Sequence, residues 1–212
     1  LLIKAPPASG KSRALMFIAL DKLRKQGLKK VIVAVPEKTI GASFKNTNLK
    51  DFGFEYNWEI NPRYNLTTGG TEKSKVDTFI EFLKSNDDIL ICTHATLRFA
   101  YDKLSNDDEF DNCLLAIDEF HHVSIGEDSR LGDILKNIIR NTKAHIIAMT
   151  GSYFRGDTIA ILEPIDEEKF DKVTYTYYEQ LDGYEYLKSF GIGFNFYQGK
   201  YLSALKEVLD TN

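Results

Sequence analysis

The sequence predicts an α/β domain built on a mainly parallel sheet, and three observations carry that expectation. Four short runs, residues 31–35, 89–92, 113–117 and 144–149, are apolar along almost their whole length. Strands without polar alternation are buried on both faces, the habit of parallel sheets covered by helices. Between these runs, apolar residues recur at helical spacing, as in Leu15, Ile18, Ala19 and Leu23, or Val76, Phe79, Ile80 and Leu83. Finally, the apolar start Leu1-Leu2-Ile3 turns abruptly into a loop of small residues that ends in Gly10-Lys11-Ser12 and opens a helix. Strand, small loop and helix N-terminus in that order make a phosphate-binding layout.

Taken along the chain, the first helix is expected over residues 11–26, closed by Gly27, with the strand 31–35 following and Pro36 ending it. Residues 46–65 are mixed and aromatic, with no clean period. Leu66-Thr67-Thr68-Gly69-Gly70 reads as a short strand and a turn. A helix is expected over residues 73–85, then the buried-type strand 89–92. Thr93 is placed to cap a short helix around residues 95–101. Residues 104–111 form an acidic loop or insertion. The strand 113–117 runs straight into Asp118-Glu119-Phe120-His121. A helix over residues 131–140 leads to the strand 144–149, which ends at Thr150-Gly151-Ser152. Residues 172–178 alternate like a strand with one exposed face, and ten aromatic residues fall between Tyr175 and Tyr201. Packing against another domain accounts for these aromatics better than base stacking does, because Tyr and Phe are strand formers.

Composition narrows the function. The chain has 212 residues and a formal net charge of −4, so no global positive field draws in nucleic acid, and any such contact must come from a local patch or from backbone donors. Cys92 and Cys113 sit inside apolar runs and read as small buried thiols. The four histidines lack cysteine partners at metal-ligand spacing, so there is no zinc signal. Neither a signal peptide nor a membrane-spanning stretch is visible, and the chain reads as cytoplasmic with no membrane partner. It begins without Met, inside a strand, and is expected to be a piece of a longer protein.

Two segments carry chemistry. In the loop, Gly10 lets the backbone approach a phosphate, Lys11 supplies positive charge, and Ser12 in the first helical turn offers a hydroxyl oxygen to Mg²⁺. Ala8, Ser9 and Arg13 are expected to bind the nucleotide with them. Ala5 and Ala8 stand where glycine is usual, which restricts φ and stiffens the loop. The second segment is the carboxylate pair at the carboxyl end of a buried strand, where parallel sheets hold ligands. Asp118 is placed to hold Mg²⁺, and Glu119 to orient or deprotonate a water attacking a γ-phosphate.

The ordered set of motifs resembles the first RecA-like domain of a superfamily 2 helicase or translocase of the DExH type. Ala5-Pro6-Pro7-Ala8-Ser9-Gly10-Lys11-Ser12 is similar to that family's motif I, with Pro7 and Ala8 as departures. Val33-Ala34-Val35-Pro36 resembles motif Ia, Thr68-Gly69-Gly70 the Gly-Gly element, and Ile91-Cys92-Thr93-His94-Ala95-Thr96-Leu97 motif Ib. Asp118-Glu119-Phe120-His121 matches motif II, and Met149-Thr150-Gly151-Ser152-Tyr153-Phe154-Arg155 resembles motif III.

The resemblance implies a three-layer RecA-like P-loop NTPase fold and ATP with Mg²⁺ as cofactors. Lys11, Asp118 and Glu119 would carry catalysis, with Ser12 and Asp118 at the metal. His121 would link motif II to Thr150 and Ser152, so that hydrolysis is felt by the nucleic-acid track. The track would touch Pro36, Lys38, Thr39, Gly69, Gly70, Thr93 and Arg98. DNA is favoured over RNA, because motif III here is more like that of DNA-acting members. Residues 1–165 are read as the first motor domain, and residues 166–212 as a linker and the start of a second RecA-like domain. The alternative is a nucleotide-binding scaffold or regulatory module without motor activity, which the two motif I departures would suit.

Overall fold

The computed structural model describes residues 1–104, 106–124, 129–151 and 163–183. Six strands form one parallel sheet in the order β3-β2-β4-β5-β1-β6. The strands are β1 (Leu2–Lys4), β2 (Lys30–Val35), β3 (Ile89–Thr93), β4 (Cys113–Ile117), β5 (His145–Thr150) and β6 (Lys172–Thr174). The helices are α1 (Lys11–Lys25), α2 (Glu72–Lys84), α3 (His94–Lys103), α4 (Ser129–Asn141), α5 (Pro164–Glu167) and α6 (Tyr177–Gly183). Residues 1–180 form one compact unit. Each strand predicted from an apolar run is present within one or two residues of its expected bounds.

The unbroken hydrophobicity of the strands has a simple cause. Val31, Val33 and Val35 of β2 face one layer together with Leu15, Met16, Ala19 and Leu20 of α1. Ile32 and Ala34, their neighbours in sequence, face the other layer, where Val76, Phe79 and Phe82 of α2 and Ile134, Leu135 and Ile138 of α4 pack. Both faces of the strand are dry, so residues 31–35 are all apolar, and the one polar residue of the strand, Lys30, stands at its start.

The two layers are built differently. One holds three helices, α2, α3 and α4. On the other, α1 shares the sheet with residues 40–60, which are mostly irregular. Trp58 is the anchor there. It is fully buried, its indole Nε1 donates to the Phe44 carbonyl at 2.9 Å, and its backbone makes an antiparallel bridge with Thr47. Phe44, Leu49 and Ile60 fill the rest. Aromatic anchors with a satisfied polar tip can cover a sheet without repeating every 3.6 residues, which is why this stretch shows no period.

Two expected elements differ. Leu66–Thr68 is a turn, not a strand. Asn65 makes a single parallel bridge to Ile91, and Leu66 N–H donates to the Ile91 carbonyl at 2.8 Å. The asparagine side chain then takes over, accepting from Thr67 N–H and from its hydroxyl, and a local Asx bond of this kind replaces the ladder. The alternation over residues 172–178 yields only the three-residue β6, with α6 starting at Tyr177. The Thr176 hydroxyl accepts from Glu179 N–H, and this local bond favours a helix start over a longer strand. Most of the aromatic segment 175–201, and Ser152 with the rest of the motif III stretch after it, lie outside the described residues.

Candidate functional site

The carboxyl edge of the sheet carries both chemical segments. Strand order sets their spacing: β5 lies between β1 and β4, so the loop after β1 and the carboxylates after β4 are two strand spacings, about 10 Å, apart. The end of β5, Thr150-Gly151, lies between them.

The loop from Ala5 to Gly10 curls because two of its residues adopt left-handed backbone, Ala8 at φ 59° and Gly10 at φ 89°. The alanine is thus held in a conformation that costs a non-glycine residue about 1 kcal/mol or more. Nothing lies within 4 Å of where a Cβ on Gly10 would stand, so open space adjoins the backbone at that point. Ser9 Oγ is buried with no hydrogen-bond partner. Lys11 folds back, its Nζ donating to the carbonyls of Ala5 and Pro6 at 2.8 Å each, and it lies 3.6 Å from where a Cβ on Gly151 would be. An unsatisfied hydroxyl, open backbone, a lysine and the start of a 15-residue helix fit a nucleotide phosphate chain. Arg13 is turned away from the loop's centre, with its guanidinium 4.4 Å over the Phe52 ring.

Asp118 extends the sheet, its N–H donating to the Ala34 carbonyl at 2.9 Å. Its carboxylate is buried and accepts from Glu119 N–H at 3.0 Å. Burial, and secondarily the Glu119 charge, push its pKa up to about 6. A carboxylate held dry beside a second carboxylate is a natural seat for a cation, and Lys11 is the cation acting on it here. Glu119 is also left-handed, at φ 47°. That turn sends its side chain back over β5, where Oε2 accepts weakly from Gly151 N–H at 3.4 Å and lies 3.3 Å from His121 Nδ1. His121 Nδ1 is 2.9 Å from the Thr150 hydroxyl. Motif II and the end of β5 are therefore tied together by side chains, as the resemblance implied for His121 and Thr150. Among the described residues no cluster of three or more His, Cys, Asp or Glu could enclose a metal ion by itself, so any Mg²⁺ here would take ligands from phosphate and water as well as from Ser12 and Asp118.

The other half of the same edge, at β2 and β3, gathers the proposed track residues. Thr93 caps α3, its hydroxyl accepting from Thr96 N–H at 3.2 Å, and it is buried. Its hydroxyl thus serves as the cap, with the N-terminus of α3 opening at this edge. Lys38, Thr39, Gly69 and Gly70 are exposed, Pro36 is half-buried, and the Arg98 guanidinium stacks 4.9 Å over Phe99. Gly41 sets the spacing between the loop after β2 and the Gly-Gly element: a Cβ there would stand 2.3 Å from Thr67 Oγ1.

Two residues missed from the sequence stand out. His94, read only as part of motif Ib, is buried and donates from Nε2 to the Asp118 carbonyl at 3.0 Å, joining the two halves of the edge. Burial holds its pKa down to about 4, so the ring is neutral. Lys75 is buried in α2 with no hydrogen-bond partner for its Nζ. A lone lysine in a helix reads as a surface charge, and only the burial of its neighbours Val76 and Phe79 hints otherwise.

Comparison with known proteins gives the chain a family and a fold. The DEAD/DEAH box helicase family matches residues 1–157. A Bacillus subtilis (strain 168) protein named "Putative ATP-dependent helicase YeeB" is 70% identical over 212 residues, which are the whole of this chain and 35% of that protein. The chain thus spans about a third of the length of this relative. Among solved structures, the helicase domain of Hef from Pyrococcus furiosus superposes with a TM-score of 0.53 over 82% of this chain and 34% of that one, at 18% identity, a likeness of fold.

Proposed function

Since this chain belongs to the DEAD/DEAH box helicases, a family of superfamily 2, we propose that it is the first motor domain of an ATP-dependent nucleic-acid helicase or translocase. What carries the reading is the convergence of Lys11, Asp118, Glu119, His121 and Thr150 on the ends of three adjacent strands. In this reading Ser9, Gly10 and Lys11 hold the phosphates of ATP, and Ser12 and Asp118 hold Mg²⁺. The metal, when bound, would neutralise phosphate charge. Glu119 orients the attacking water and accepts its proton as the γ-phosphoryl group leaves ADP. His121 passes the state of motif II to Thr150 and the segment after it, Ser152 included. DNA is the favoured track on the motif III pattern of Thr150-Gly151-Ser152. A second RecA-like domain after this one completes the ATP site, so residues 1–212 alone are expected to turn over ATP poorly. The protein is expected to work in the cytoplasm.

One observation favours a second reading, a nucleotide-binding scaffold without motor activity. Lys11 is already engaged by the Ala5 and Pro6 carbonyls, in a loop stiffened by Ala8. ATP hydrolysis by the full-length protein separates the two readings. It would be measured without polymer and with single-stranded DNA, duplex DNA or RNA, beside Lys11→Ala. Stimulation by one polymer, lost in the variant, supports the motor and names its track. No turnover under any of these conditions favours the scaffold.

A further inference from the structure

The lysine at residue 75 is built unlike a structural residue. It lies in the second turn of α2, and the side chains of a helix lean toward its N-terminus. Accordingly its Cε stands 3.8 Å from where a Cβ on Gly70 would be, beside the Gly-Gly element that precedes the helix. Only 2% of the residue is exposed, yet Nζ has no hydrogen-bond partner. The carboxylate of Glu72 is 3.9 Å away, too far for a hydrogen bond, and its other oxygen is taken by the Thr96 hydroxyl at 3.1 Å. The neighbour that bears on it electrostatically before Glu72 is another cation, Lys38, from the loop after β2.

Three costs coincide here. An ammonium is buried with no hydrogen-bond partner and only a long ion pair to Glu72. A second cation, Lys38, bears on it electrostatically. The positive end of the α2 dipole, with its free N–H groups, points the same way. Each of them is relieved by one kind of ligand, a compact anion seated between Lys38, Lys75 and the start of α2. On the reading above, the anion available at this half of the edge is a backbone phosphate.

We propose that Lys75 and Lys38, with the N-terminus of α2, form a seat for one phosphodiester group of the nucleic-acid strand, with Lys75 as the buried anchor. The seat reads no base. It fixes the register of the strand on the track, as phosphate contacts do. The proposal rests on the nucleic-acid motor reading.

It predicts opposite effects on affinity and on stability from a single substitution. In the full-length protein, Lys75→Met should weaken binding of a single-stranded oligonucleotide roughly tenfold or more, since a charge-assisted hydrogen bond is lost. It should also reduce the slope of log affinity against log salt by about one phosphate contact. The same variant should raise the melting temperature of the protein free of nucleic acid, because a buried charge without a hydrogen bond is gone. Lys75→Arg should keep affinity within a few fold, and Lys38→Met should weaken binding without that stabilisation.

Unchanged strand affinity and salt slope in Lys75→Met overturns the proposal while leaving the motor reading in place. So does a lowered melting temperature, which would mean that the ammonium is paired within the fold. Protection of Lys75 by inorganic phosphate, with strand affinity unaffected by the substitution, would assign the seat to a free anion and equally overturn it. A wild-type protein that binds no strand at all overturns the motor reading, and this seat with it.

Discussion

Two buried lysines stand near opposite ends of helix α2, and their surroundings differ completely. Lys30, at the start of β2, reaches the C-terminal end and donates from Nζ to the carbonyls of Phe82, Ser85 and Asp87 at 3.0, 2.7 and 2.6 Å. It neutralises orphan carbonyls and the negative end of the dipole, and its ammonium lies 4.6 Å over the Phe82 ring. Lys75, toward the N-terminal end, has no hydrogen-bond partner and sits at the dipole's positive end. Burial disfavours the charge at both sites, but only one site compensates. Among the described residues, the buried side-chain groups without a hydrogen-bond partner, Ser9 Oγ and Lys75 Nζ, both belong to the carboxyl edge and lie one in each half of the proposed machinery.

The comparison breaks most visibly at the nucleotide half. Glu119→Gln is expected to cut ATP turnover by about 10³-fold or more while nucleotide affinity survives, because only the orientation and deprotonation of water are lost. Turnover by rapid kinetics and nucleotide binding by equilibrium titration check that split. The amino edge answers in stability rather than activity. Lys30→Met should cost about 1–3 kcal/mol by chemical denaturation, since it strands carbonyls that now have a cation. That sign is opposite to the one expected for Lys75→Met.

Acid probes the joint between the two halves of the carboxyl edge. His94 is neutral in the fold, with its pKa near 4, and in the unfolded chain it titrates near the ordinary 6.5. The unfolded state therefore binds more protons between those values. Stability is full above about pH 6.5 and falls through that window, by up to about 3 kcal/mol. His94→Asn should flatten this part of a denaturation-versus-pH curve. A smaller effect is expected from Gly41→Ala. The added Cβ meets Thr67 Oγ1, so the Gly-Gly element must shift, weakening strand binding several-fold with nucleotide affinity unchanged. Smallest of all is Arg63→Ala, which removes a surface pair with Glu81 and should change stability by less than about 1 kcal/mol.

Much of this was legible in the sequence, for reasons the structure makes plain. Strands buried on both faces write themselves as apolar runs, and β2, β3, β4 and β5 were read that way. Thr93 was legible as a cap because capping is local. The carboxyl edge was legible because chemistry needs particular residues at strand ends: Lys11 and the Asp118-Glu119 pair were expected at one sheet edge, and His121 was expected to meet Thr150. What stayed hidden depends on tertiary placement. Residues 40–60 cover the sheet through Trp58 and Phe44, without a period to read. Leu66–Thr68 carries strand-forming residues, but Asn65 turns the chain. Nothing adjacent to Lys75 says that its ammonium ends among Gly70, Lys38 and Glu72, or that His94 reaches the Asp118 carbonyl.

The central claim is that the two halves of the carboxyl edge act as one device, the nucleotide half driving the track half. Linkage tests it directly. The affinity of the full-length protein for a single-stranded oligonucleotide would be measured with and without ATP·Mg²⁺, in the Glu119→Gln variant so that nucleotide persists. The account predicts that ATP changes strand affinity about fivefold or more, and that the strand changes ATP affinity by the same factor. Strand affinity that is identical with and without bound nucleotide would contradict it.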